Sequence, residues 1–175
     1  MLEAFCILHA KYPTASLVIA GEGSLEDELA DKVNDLGLRE HVFFIGFRDD
    51  VRRIMSAVDI YVNSSYWEGT PVSVLEAMAA GLPVVATNVG ENPYLLDSSC
   101  GILVPPKQPQ KMAEALGRLL DSPQKRIAFG QIVRKRVQEN YSPDAWCNSV
   151  LKLYAQVTPQ AKPFLERATQ KVEKQ

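Results

Sequence analysis

Five short, unbroken apolar runs constrain this chain more than any other feature. Leu17-Val18-Ile19-Ala20, Val42-Phe43-Phe44-Ile45, Ile60-Tyr61-Val62, Val84-Val85-Ala86 and Ile102-Leu103-Val104 carry no polar alternation. A strand with one wet face alternates apolar and polar residues, whereas a strand covered on both faces does not. Helical patterns separate the runs. Residues 2–12 read as a helix stopped by Pro13. Ser24 is placed to cap the next, in which Leu25, Leu29, Val33 and Leu36 share a face, acids fill positions 26–28 and Gly37 is the stop. Asp49 can cap a short helix with Val51, Ile54, Met55 and Val58. Residues 71–80 form a further helix, closed by Gly81. After Pro105-Pro106 the pattern is fully helical, at 108–120, 123–139 and 143–157, with Pro109, Pro123 and Pro143 each suited to a first turn. This alternation predicts an α/β fold: a Rossmann-like, doubly wound parallel sheet with added C-terminal helices. Residues 1–157 read as one such domain and 158–175 as a partly helical tail.

Composition excludes several classes. Apolar residues make up 46% and charged residues 23%, ordinary globular usage. No run approaches the roughly 18 uncharged apolar residues of a membrane span. Glu3 and His9 interrupt the first apolar stretch, so no signal peptide is expected there. Cys6, Cys100 and Cys147 are too scattered for a disulfide framework, which suits a reducing, cytoplasmic compartment. Charge is unevenly spread. Residues 1–106 hold 6 Lys/Arg and 15 Asp/Glu, whereas residues 107–175 hold 13 and 6. Neither half has the basic runs with interleaved aromatics of a nucleic-acid binder. Arg134-Lys135-Arg136 admits two readings, a solvated helix face or a peripheral contact with anionic lipid headgroups. His9 and His41 stand apart in sequence, and no metal-ligand cluster is visible.

In doubly wound sheets, ligands bind beyond the carboxyl ends of the strands. Two loops are therefore of interest. Gly21-Glu22-Gly23-Ser24 joins a strand to a helix, but Glu26 occupies the third glycine position of a dinucleotide fingerprint. A ligand-lining turn and a plain tight turn remain equal alternatives. The second segment, residues 64–81, is more informative. Thr70 can cap the helix and Pro71 can take its first position. The free N–H groups of Val72, Ser73 and Val74 would then attract phosphate. Gly69 allows a ligand close to the backbone. Glu76 lies within a nearly all-apolar helix, where a carboxylate needs partners such as ribose hydroxyls, unless it occupies the one wet face. Glu68 lies in the loop before the helix.

The pair Glu68 and Glu76, set within Glu-Gly-Thr-Pro and Leu-Glu-Ala-Met-Ala-Ala-Gly-Leu-Pro-Val-Val-Ala-Thr, resembles the two-glutamate motif of retaining, nucleotide-sugar-dependent glycosyltransferases of group 1 (family 4). The resemblance runs over nearly the whole chain. It implies a donor-binding half of an enzyme with two Rossmann domains, transferring a hexosyl group from a nucleoside-diphosphate sugar to a glycan or lipid-linked acceptor. Glu76 would bind the ribose. The backbone of Gly69, Thr70, Pro71, Val72 and Ser73 would hold the diphosphate and sugar hydroxyls. Glu68 would orient the transferred sugar as the catalytic residue. Gly46, Phe47 and Arg48 would border the nucleobase, and Gly21 and Gly23 the diphosphate. No metal or other cofactor is implied.

The chain departs from that family at Gly90-Glu91, where a second glycine is usual, and at Tyr94, where an acid is usual. Against the family pattern it also lacks the first strand of the domain, with its cationic residues, and the N-terminal Rossmann domain. The resemblance thus implies a gap in the sheet and little activity without that other domain, in the same longer chain or a separate subunit. A non-catalytic nucleotide-sugar-binding subunit, an inactive fragment and a sugar-nucleotide epimerase are the alternatives.

Overall fold

A computed structural model describes residues 1–158; the expected tail beyond them lies outside the described residues. The helix and strand order is α1 (Leu2–His9), β1 (Leu17–Ile19), α2 (Glu26–Asp35), β2 (Val42–Phe44), α3 (Val51–Ala57), β3 (Tyr61–Asn63), α4 (Val72–Ala80), β4 (Val84–Thr87), α5 (Asn92–Leu95), β5 (Gly101–Val104), α6 (Pro109–Leu120), α7 (Pro123–Asn140) and α8 (Pro143–Val157). All five expected strands form, and every strand pairing is parallel. The short helix α5 is an addition to the expected elements.

The strands make two sheets. β1 pairs with β2, and the order β3–β4–β5 forms a second sheet with β4 at its centre. The single sheet read from the sequence is therefore divided, as the missing-strand expectation requires. Among the described residues β3 is paired with β4 alone, and its other side is an open sheet edge.

β4 explains why its run has no alternation. All four of its residues are buried. Val85 points into a core with Leu2, Phe5 and Leu8 of α1 and Met112, Leu116 and Leu119 of α6. Val84 and Ala86 point the other way, into a core with Val74, Ala77 and Met78 of α4 and Val133 of α7. Leu17, Val42 and Val33 belong to the first core, so the two sheets share it.

Helix ends follow the sequence unevenly. Gly37 and Gly81 adopt positive φ after α2 and α4. After α4 the Leu82 N–H returns to the Ala77 carbonyl at 3.0 Å, a glycine-dependent termination. Pro109, Pro123 and Pro143 open their helices as expected. Ser24 and Asp49 do not cap. α2 starts after Leu25 and α3 after Asp50, neither with a side-chain cap bond. Caps form instead at Ser122 and Ser142, which accept from Lys125 and Ala145.

Two long-range ties matter to the rest. α4 and α7 meet backbone to backbone, because a Cβ on Gly130 would lie 2.2 Å from the Gly81 carbonyl oxygen. Arg136 is not a free surface cation. It donates to the Leu95 carbonyl (2.9 Å) and to Asp97 (2.6 Å), while Lys135 lies 3.8 Å from Glu139. Of the basic cluster, Arg136 is thus engaged, whereas Arg134 and Lys135 stay exposed. The two histidines are not isolated either, since their ring centroids lie 4.0 Å apart.

Gly130→Ala is expected to destabilise the fold by about 1–3 kcal/mol through overpacking, read as a lower urea midpoint; an unchanged midpoint would contradict the α4–α7 contact. Bonds from Ser99 and Arg136 hold the Asp97 carboxyl well below its usual 3.8. Its stabilising contribution is therefore complete above about pH 4 and fades as the pH falls toward the depressed native value. The midpoint gap between the wild type and Asp97→Asn should stay constant from neutral pH to about pH 5 and close below pH 4.

Candidate functional site

The second sheet aims the chain at the site. Along β3, Tyr61 and Asn63 face one side and Val62 the other, because successive side chains alternate. Residues 64–71 then loop over the carboxyl end of the strand into α4. Pro71, not Thr70, occupies the N-cap, and no side chain caps the helix. The Pro71 carbonyl accepts the N–H groups of Val74 (3.0 Å) and Leu75 (3.2 Å). Val72 and Ser73 are the first-turn residues whose N–H groups have no acceptor among the described residues, so the donor set is smaller than the three expected. The Thr70 hydroxyl is turned away to Glu91 Oε2, at 2.7 Å.

Val72, Ser73, Glu76, Ala79 and Ala80 form the wet face of α4. Glu76 is therefore exposed, and no burial penalty calls for a partner. The wet-face alternative describes its position. Yet that face carries the two free N–H groups and the carboxylate together, one turn apart.

Glu68 is half-buried and strongly held. Asn63 Nδ2 (2.9 Å) and the Ser65 hydroxyl (2.7 Å) both donate to its Oε1. Behind them, Thr87 donates to the Ser65 carbonyl at 2.7 Å, and Asn92 Nδ2 donates to Asn63 Oδ1 at 3.2 Å. The turn after β4 also presses on this loop. Gly90 has φ 54°, and a Cβ there would lie 2.2 Å from the Glu68 carbonyl oxygen. Burial pushes the Tyr61 phenol up; Ser73 draws it down, and the carboxylates of Glu68 and Glu76 push it up again.

A second cluster gathers the remaining expected residues at the ends of β1 and β2. The Gly21 N–H donates to the Gly46 carbonyl at 2.8 Å, and Glu22 Oε1 accepts the Phe47 N–H at 3.3 Å. Gly21 and Gly46 both have positive φ, and Gly23 is open. Phe47 is exposed, and Arg48 is engaged with Asp50 through two bonds of 2.8 and 2.9 Å. No hydrogen bond among the described residues connects this cluster to the Glu68–Glu76 cluster.

Tyr61, Asn63, Ser65, Thr87, Asn92 and Glu91 go beyond the residues read from the sequence. A signal existed for two of them. Asn63 and Thr87 are polar residues standing immediately after apolar strand residues. Exposed aromatics flank the site as well: Trp67, 80% exposed, and Tyr66, whose ring carries the Lys107 ammonium at 5.3 Å.

Known proteins are similar to this chain in sequence and in fold. A family model described as "Glycosyl transferases group 1" matches residues 1–136. The solved C-terminal domain of a glycosyl transferase group 1 family protein, LpcC, from Francisella tularensis is 34% identical. It superposes with a TM-score of 0.73, over 81% of this chain and 77% of that one. TarM of S. aureus, solved with fondaparinux, α-GlcNAc-glycerol and UDP, gives 26% identity and a TM-score of 0.81 over 87% of this chain and 31% of that one. An Escherichia coli UDP-Gal:α-D-GlcNAc-diphosphoundecaprenol α-1,3-galactosyltransferase is 32% identical over 111 residues, 62% of this chain and 29% of the relative. The chain spans about a third of the length of the curated relatives it matches. By the match of its sequence and the likeness of its fold, the chain belongs to the group 1 glycosyltransferase family and corresponds to that family's C-terminal domain.

Proposed function

We propose that this domain binds the nucleoside-diphosphate sugar donor of a retaining glycosyltransferase. The observation that carries the proposal is the uncapped N-terminus of α4, where the N–H groups of Val72 and Ser73 share one exposed face with Glu76 and Glu68 lies in the loop just before it. The N–H groups of Val72 and Ser73 and the positive end of the α4 dipole face the diphosphate. Glu76, one turn further along the same wet face, takes the ribose hydroxyls. Glu68 presents its carboxylate beside the transferred sugar, where a fixed charge can act on the developing positive charge of the sugar ring. Gly69 keeps the backbone accessible, while Pro71, which has no N–H, serves to turn the chain. Gly21, Gly23, Gly46, Phe47 and Arg48 border the base and the outer phosphate. The proposal assigns no resident metal.

The acceptor half belongs to a further Rossmann domain, and the unpaired edge of β3 is where the strand leading from it would join. The acceptor is a glycan or lipid-linked saccharide, in keeping with the names of the TarM complex and of the E. coli relative. We place the reaction in a reducing compartment, which the free Cys6, Cys100 and Cys147 suit. Contact with anionic headgroups falls to the exposed Arg134 and Lys135 of α7. Among the described residues no helix is long and apolar enough to cross a membrane.

Calorimetry with uridine, guanosine and adenosine diphosphates tests the proposal. One of them should bind, and Glu76→Ala should weaken that binding by about tenfold or more, the loss of a charged hydrogen bond. A folded chain that binds none of the three would overturn it. Glu68→Ala should leave nucleoside-diphosphate affinity within about twofold while lowering sugar transfer by about a hundredfold or more in an enzyme holding both domains. Gly90→Ala should lower transfer more than it weakens nucleoside-diphosphate binding, because the backbone it displaces is that of Glu68, while Gly69 and Thr70 are reached only through the neighbouring Glu91; an equal loss of both would place Gly90 in the general fold.

A further inference from the structure

The buried polar residues of the described chain are three, Asn63, Thr87 and Asn92, and all three stand in one network behind Glu68. Buried polar side chains cost stability unless they are bonded, so their concentration in one place calls for an explanation. The bonds have a direction. The Thr87 backbone carbonyl can only accept, and Asn92 Nδ2 donates to it at 2.9 Å. That carbonyl therefore fixes which end of the Asn92 amide faces inward. The other proton of the same amide nitrogen goes to Asn63 Oδ1 at 3.2 Å. Asn63 must then turn its own nitrogen outward, where it donates to Glu68 Oε1 at 2.9 Å and meets the Ser65 oxygen at 3.3 Å. Ser65 passes its proton on to Glu68 Oε1. The single Thr87 hydroxyl proton goes to the nearer Ser65 carbonyl (2.7 Å) and not to Asn63 Oδ1 (3.5 Å). This leaves Asn92 as the firm donor that orients Asn63.

Asn92 is 0% exposed, and its Oδ1 has no partner. Flipping the amide would not relieve this, because it would set oxygen against both the Thr87 carbonyl and Asn63 Oδ1. The arrangement accepts one unsatisfied oxygen and thereby delivers two donors to the same carboxylate oxygen. No hydrogen bond among the described residues reaches Glu68 Oε2.

The geometry points to Asn92 as a positioning residue: acting through Asn63, it holds Glu68 by Oε1 and leaves Oε2 as the oxygen offered to the transferred sugar. The inference rests on the role proposed for Glu68 above. Asn92 touches no ligand itself. It fixes the polarity of a relay that starts at a backbone carbonyl, which cannot be reversed, and ends at the carboxylate. Hydrogen bonds linked in a chain polarise one another, so such a relay is stronger than its separate pairs.

The test uses Asn92→Leu, close in size and without donors. Nuclear magnetic resonance of this chain reads the Asn63 side-chain amide. In the wild type one of its two protons should be protected from exchange and should move on Glu68→Gln. In Asn92→Leu that protection should be lost while the backbone spectrum persists. Retained protection would overturn the relay. Should Asn92→Leu fail to fold, the wild type still decides, because two equally unprotected Asn63 protons would also overturn it. In a transferase holding this domain, Asn92→Leu should lower kcat by about tenfold or more with KM for the sugar nucleotide little changed. The same change made on top of Glu68→Gln should add almost nothing. Equal losses in both backgrounds would assign Asn92 a merely structural role and overturn the proposal. Loss of the amide signature with kcat unchanged would instead refute the role of Glu68 and leave the relay standing.

Discussion

The burial of β4 on both faces is the constraint on which the rest depends. Val85 on one side and Val84 and Ala86 on the other tie α1 and α6 to one core and α4 and α7 to the second. A strand so enclosed cannot shift register without driving an apolar side chain into the wrong layer. With β4 fixed, its carboxyl end is fixed too: Thr87, its last residue, sits where it bonds to the Ser65 carbonyl, and Asn92 where it bonds to Asn63 at the end of β3. The polar site is thus an extension of the apolar core: the network exists because two parallel strands end side by side and each ends on a polar residue.

The strand positions were legible in the sequence because the signal is local. Every apolar run is a strand, displaced by at most one or two residues at its ends. Gly37, Gly81 and the three helix-opening prolines were legible for the same reason, since each acts through its own backbone. Side-chain caps were not. Ser24, Asp49 and Thr70 have the right chemistry at the right places, yet none caps. Thr70 shows the cause, for it finds a competing partner in Glu91, far away in sequence. Ser122 and Ser142 meet no such competitor and do cap.

The candidate site was legible in part. Glu68, Glu76 and the loop between them follow from one contiguous motif, and the structure sets Glu68 in the loop before α4 and Glu76 on the exposed face of that helix. The reason first given for Glu76 does not survive, since the helix turns that carboxylate to solvent; its significance comes from sharing the wet face with two free N–H groups. The supports of Glu68 could not be read beforehand, because Asn63, Thr87 and Asn92 come from three elements and matter only once those elements meet. The division of the sheet belongs between these cases. The family resemblance implied a gap, but the strand runs alone would have suggested one continuous sheet.

The contact between Gly81 and Gly130 has a mechanical side. Two helices joined through side chains can slide by small repacking steps, whereas two backbones in contact have no soft layer between them. Where Gly81 meets Gly130, α4 and α7 approach with no side chain between them, so at that point a shift of one helix presses on the backbone of the other. The helix from which α8 continues is thereby linked mechanically to the helix whose head carries the free N–H groups of Val72 and Ser73.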